Sequence, residues 1–226
     1  MPLQRLPNWI QFGAFLLAFN AGMVNVIGLF TVLHQSVSHM TGNVSMLAMS
    51  LAHWQPEQFI FLGLVLICFV IGSFYSGFIL GNGNIIFGRR YGVPLSLVAI
   101  FLLLSWLFLP YFPRYGLLWA CVAMGIQNAM VSHYKGAIIR TTHLSGVLTD
   151  IGLTLGYQAR GLKVEKRRIF LHLLILIGFL SGGIIASVVY PYLKLQSFLI
   201  PITLSLAMSI LYWIFYFRST FNTHLD

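Results

Sequence analysis

Ser38-His39-Met40-Thr41-Gly42-Asn43 returns 104 residues later as Thr142-His143-Leu144-Ser145-Gly146-Val147. Each copy follows a Gly-x-x-Asn step, Gly22-Met23-Val24-Asn25 before the first and Gly125-Ile126-Gln127-Asn128 before the second. Each also precedes an apolar run with a small-residue step, which pairs Gly72-x-x-x-Ser76-Gly77 with Gly178-x-x-x-Gly182-Gly183. Three landmarks in one order mark a duplicated unit. Repeats decide architecture, and in membrane transporters the repeat interface is where solutes bind.

The composition places the duplication in lipid. Hydrophobic residues make up 58% of the chain and charged ones 8%, and the mean hydropathy is +0.87. That excludes an ordinary soluble domain. No Lys, Arg, Asp or Glu occurs between Arg5 and Glu57 or between Arg90 and Arg114, nor within Phe59 to Leu80, Leu117 to Tyr134, Ile169 to Leu193 and Leu195 to Phe217. Apolar runs of about 18 residues or more read as spans. The sequence predicts an all-α integral membrane protein with six spans, about 9–33, 57–80, 93–111, 116–134, 168–190 and 196–217. The whole chain, 1–226, is one membrane domain, with repeats at about 9–111 and 116–217. The first span is too long for a signal-peptide core and lacks a convincing cleavage site, so it is expected to stay.

Charge sets the orientation. With the N-terminus inside, the cytoplasmic side collects Arg5, Arg89, Arg90, Lys135, Arg140, Arg160, Lys163, Lys166, Arg167, Arg168 and Arg218, leaving Arg114 and Lys194 outside. That is the positive-inside pattern, and it puts both termini in the cytoplasm. An eight-span alternative spreads the charges more evenly and loses. Three spans per repeat is an odd number, so the second repeat enters upside down. The formal charge of +9 is read as flanking charge, not as a nucleic-acid surface.

The signature segments lie between spans. Each holds a short helix-like patch, Val44 to Leu51 and Val147 to Gly156, too short to cross ~30 Å of hydrocarbon at 1.5 Å per residue. Thr41 and Ser145 are expected N-caps, and Gly42 and Gly146 allow close backbone approach. Two facing half-helix N-termini favour a polar or anionic group between them. The candidate solute-binding residues are therefore Asn25, His39, Thr41, Gly42, Asn43, Asn128, His143, Ser145 and Gly146. Asp150, the single acid between Glu57 and Glu165, is the candidate for proton coupling, because a carboxylate in a membrane is costly to keep. It is also a plausible partner for Arg140. Its counterpart is Met46.

Other features read as structure. Asn25, Gln127 and Asn128 can glue helices together or line a solute path. The small-residue steps are packing motifs first. Cys68 and Cys121 are expected as packing residues, and Trp9, Trp54 and Trp213 as interface-belt residues. His34, His39, His133 and His143 lack a Cys or carboxylate at ligand spacing, so neither a metal nor a cofactor is expected. The chain has no G-x-S-x-G, H-E-x-x-H or P-loop, and an enzyme is disfavoured. The leading expectation is a small-solute transporter, with a channel on the same scaffold or a non-transporting scaffold protein as the alternatives. A homodimer is compatible with six spans.

At these residues the chain resembles the YoaK-like family of bacterial inner-membrane proteins, a domain family of unknown function. The resemblance covers essentially the whole chain. It rests on Ala21-Gly22-x-x-Asn25, Val37-Ser38-His39-Met40-Thr41-Gly42-Asn43, Gly125-Ile126-Gln127-Asn128-Ala129 and Arg140-Thr141-Thr142-His143-Leu144-Ser145-Gly146-x-x-Thr149-Asp150. It implies a six-span protein of the bacterial inner membrane and carries no established substrate. Members of that family commonly have Asp where this chain has Asn25.

Overall fold

The structure, a computed structural model, describes residues 8–31, 34, 36–81, 89–132 and 141–222. Among them are eight α-helices and no strand: α1 (Asn8–Phe30), α2 (Met40–Ala52), α3 (Pro56–Leu80), α4 (Arg89–Phe108), α5 (Pro113–Ser132), α6 (Leu144–Ala159), α7 (Lys166–Leu193) and α8 (Leu199–Asn222). A 3-10 turn, Lys194–Phe198, joins the last two. Both termini lie outside the described residues, as do Arg5, His133, Lys135 and Arg140 and the side chains of Arg89 and Arg90.

Four stretches are long and apolar enough to cross a membrane: Trp9–Phe30, Pro56–Leu80, Tyr91–Phe108 and Lys166–Arg218, the last running through α7 and α8. Helix α5 is as long as α4 but is not one of them. It is sheathed by α1, α3 and α4, and Ala120 to Gln127 are all buried. A helix shielded by other helices can hold small and polar residues, Gly116, Gly125, Gln127 and Asn128 here, that a lipid-facing helix cannot. The long helices expose Phe12, Ile67, Val70, Phe74, Phe78, Ile177, Leu180, Val188, Ile210 and Phe215, the apolar outer surface that hydrocarbon requires.

Two helix pairs dominate the bundle, α1 along α7 and α3 along α5. Both are built on glycine. A Cβ on Gly22 would strike the carbonyl of Phe179, and one on Gly182 the carbonyl of Phe19. In the other pair, a Cβ on Gly125 would strike the carbonyl of Phe69, and one on Gly72 that of Val122. Backbone in contact with backbone gives the close van der Waals packing that drives association in lipid. These contacts correct one sequence pairing. Gly72 answers to Gly182, one helical turn beyond Gly178, which instead lies against Phe15. Helix α6 is longer than α2, and its link to α7 is longer than the His53–Gln55 link from α2 to α3, so α7 is displaced along the chain by a turn.

The short helices lie at the flanks, α2 on α3 and α6 on α7. Helix α2 buries Asn43 and Ser50, and α6 buries Val147. Two expectations fail locally. Thr41 and Ser145 are not N-caps, because each helix starts earlier than its apolar patch. His39 and His143 occupy the cap positions with matching backbone angles, φ −92°, ψ 73° and φ −98°, ψ 66°. Thr41 and Ser145 therefore stand in the first turn. Trp213 is also more than a belt residue: it packs on Gly92, and its Nε1 donates to Ser96 Oγ at 3.0 Å. Trp9 and Trp54 are exposed.

Candidate functional site

A cavity of about 620 Å³ opens between α1, α3, α5 and α7 and the starts of α2 and α6. Its walls come in pairs from equivalent places: Asn25 and Asn128 on α1 and α5, Ser38 and Thr142 before the short helices, His39 and His143 at their caps. Met40 and Leu144, Thr41 and Ser145, and Phe69 and Phe179 complete the lining. Gly22 and Gly125 explain the placement. Each brings its helix against a neighbouring carbonyl, and the amide three residues on then faces the space between the halves.

The amides hold the cavity's edges. Asn25 Oδ1 accepts four hydrogen bonds: from Ser36 Oγ at 2.6 Å, from the backbone N–H groups of Val37 and Ser38 at 3.1 Å, and from Ser38 Oγ at 3.2 Å. Asn128 Oδ1 accepts one, from Thr142 Oγ1 at 2.6 Å. Each amide so fixes the extended segment leading into a short helix. Asn43 reinforces the first, with Nδ2 donating to the Ser36 carbonyl at 2.9 Å. Gly42 leaves room for the imidazole of His39, which a Cβ there would meet at 2.6 Å. Gln127 points elsewhere, donating to the Leu17 carbonyl and accepting from Asn20 Nδ2; it is a helix tie in the buried core.

Of the candidate residues, Asn25, His39, Thr41, Asn128, His143 and Ser145 come together at the cavity. Gly42 and Asn43 stand behind the lining as support, and Gly146 is outside it. Asp150 is not in the lining either. Its carboxylate lies 3.4 Å from Arg168 Nη2 and 3.6 Å from His172 Nε2, at the joint of α6 and α7, so among the described residues its arginine partner is Arg168. The candidate set omitted Ser38, Met40, Phe69, Thr142, Leu144 and Phe179. Ser38 and Thr142 sit inside the repeated motif and were legible. Phe69 and Phe179 were hidden by the one-turn shift of α7.

No Lys, Arg, Asp or Glu among the described residues lines the cavity. Among the described residues, no three His, Cys, Asp or Glu side chains gather as metal ligands. Cys68 and Cys121 are free thiols within the packed helices.

Fold and cavity together define a multi-helix, membrane-type protein with a pocket lined by both polar and apolar side chains. Residues 13–211 match the family described as a protein of unknown function, DUF1275, and the chain belongs to that family. No curated protein and no solved structure gives a match.

Proposed function

We propose that this protein is a small-solute transporter of the bacterial inner membrane, with six spans in two inverted three-helix repeats and both termini in the cytoplasm. The observation that carries the reading is the cavity: each half supplies an amide, two hydroxyls, an imidazole, an aliphatic side chain and a phenyl ring from matching positions. A site shared by two related repeats is the arrangement of inverted-repeat transporters, in which the solute binds where elements of both repeats converge. The paired glycine contacts of α1 with α7 and α3 with α5 are consistent with the repeats. The reading involves a solute and the bilayer as partners, with no nucleic acid or cofactor, and it accommodates a homodimer.

Proton coupling, in this reading, acts from outside the cavity. Asp150 joins α6 to α7 through Arg168 and His172, so its protonation would loosen one short helix without touching the solute. Replacing Asp150 with Asn is expected to abolish pH-dependent uptake, and unchanged pH dependence would exclude the coupling.

The test is side-specific labelling of Thr41→Cys and Ser145→Cys in a protein lacking Cys68 and Cys121. Slow reaction of the two sites from opposite faces of the membrane supports a shared path. No reaction at either site defeats the transport reading. A channel would pass solute without saturation; a carrier saturates.

A further inference from the structure

The cavity's side chains also restrict what enters it. Asn25 Oδ1 is saturated by Ser36, Val37 and Ser38, and Asn128 Oδ1 already accepts from Thr142 with one of its two lone pairs. What both amides offer a solute is the Nδ2, which can only donate. The hydroxyls of Thr41 and Ser145 and the ring nitrogens of His39 join the same lining. No described residue of the lining offers a carboxylate to a positive charge, and Asp150 is turned to Arg168 and His172. An organic cation taken from water into such a bundle without a counter-charge is strongly disfavoured, whereas a carboxylate there can be met by the N–H donors of both amides and by the hydroxyls.

The apolar part of the lining is as specific. Phe69 and Phe179 enter from α3 and α7, and the carbonyls of these same two residues are pressed on Gly125 and Gly22. The tightest helix contacts therefore anchor the backbone that carries both rings. Phenyl faces favour flat apolar surfaces, and the cavity's volume is in the range that takes small organic ligands.

We infer that the cavity binds a planar organic solute that presents acceptor oxygens, as an amide carbonyl or a carboxylate does, and that it rejects organic cations. The inference rests on the cavity being the solute site.

The test uses three probes of one shape: benzamide, benzoate and benzamidinium. Each is titrated, at one fixed neutral pH, for protection of Ser145→Cys from a thiol reagent in the protein lacking Cys68 and Cys121. Benzamide and benzoate are expected to protect at concentrations at least about tenfold lower than benzamidinium, and their order relative to each other tells the neutral from the anionic acceptor. Equal or better protection by benzamidinium, or no protection by any probe, overturns the inference. A second variant guards the interpretation. Asn128→Asp can still accept from Thr142 but adds a carboxylate to the lining, and it is expected to shift preference toward benzamidinium by about tenfold or more. An unchanged order in that variant also overturns the inference. Two-sided labelling without probe protection would leave transport standing and sink the solute class. Protection with one-sided labelling would do the reverse.

Discussion

Replacing Asn25 with alanine tests how the cavity's edge is held. One oxygen, Asn25 Oδ1, accepts four hydrogen bonds, and the residues around it are closed to solvent: Val37 is 0% exposed and Ser38 6%. After truncation the Ser36 and Ser38 hydroxyls can rotate to other acceptors. The N–H groups of Val37 and Ser38 cannot, and a buried donor left without an acceptor costs about 1–3 kcal/mol. The two together give a loss of roughly 2–6 kcal/mol. Asn128→Ala releases one hydroxyl that can turn, so its cost is about 1 kcal/mol. The difference is measurable by denaturant unfolding in detergent. Amide exchange in the segment before α2 is expected to accelerate in Asn25→Ala and to stay slow in Asn128→Ala. Equal costs for the two variants, or a loss under about 1 kcal/mol for Asn25→Ala, would refute the claim that this oxygen organises the segment. Asn25→Asp keeps the accepting oxygen and strengthens its bonds, and it is expected to fold and unfold like the parent, which fits the Asp that the family resemblance implies at this position.

The remaining predictions concern packing and charge. Gly22→Ala and Gly125→Ala push a methyl into the Phe179 and Phe69 carbonyls and are each expected to cost about 1–3 kcal/mol by detergent melting, whereas Gly63→Ala and Gly77→Ala meet nothing within 4 Å and should melt like the parent. Gln127→Leu strips the Leu17 carbonyl of its side-chain donor and Asn20 Nδ2 of its acceptor; a loss of about 1–3 kcal/mol in the same assay is expected, and a neutral outcome would refute the tie. Arg168→Gln breaks an ion pair whose side chains are 44% and 36% exposed, so its effect on unfolding is expected below about 1 kcal/mol. A larger loss would mean that Asp150 and His172 depend on the arginine.

The legible parts of the site were those whose chemistry is written locally. The repeated His-x-hydroxyl-Gly motif placed His39, Thr41, His143 and Ser145 at one cavity, because a motif that starts a helix carries its side chains with it. The Gly-x-x-Asn steps placed Asn25 and Asn128 for a related reason: the glycine contact and the amide lie on neighbouring turns of one helix. The same reasoning left the place of Asp150 open. Four residues from Gly146 is the same helical face in sequence, yet the acid turns to Arg168 and His172, whose positions depend on how α7 returns past α6. Thr41 and Ser145 were misjudged as caps because a motif fixes a helix start only to within a residue or two.

By itself, the sequence determined the helical, membrane-type class, the long helices and their approximate ends, and the two matching motifs between them. These follow from apolar run length, from the scarcity of charge and from local backbone chemistry, all of which act within a few turns of chain. Only the tertiary structure decided that Gly72 answers to Gly182, that Phe69 and Phe179 wall the cavity, and that Asp150 stays outside it. Those facts depend on how far one helix slides along another. The physical reason is that this sliding is set by where glycine lets two backbones touch, and that depends on residues a hundred positions apart.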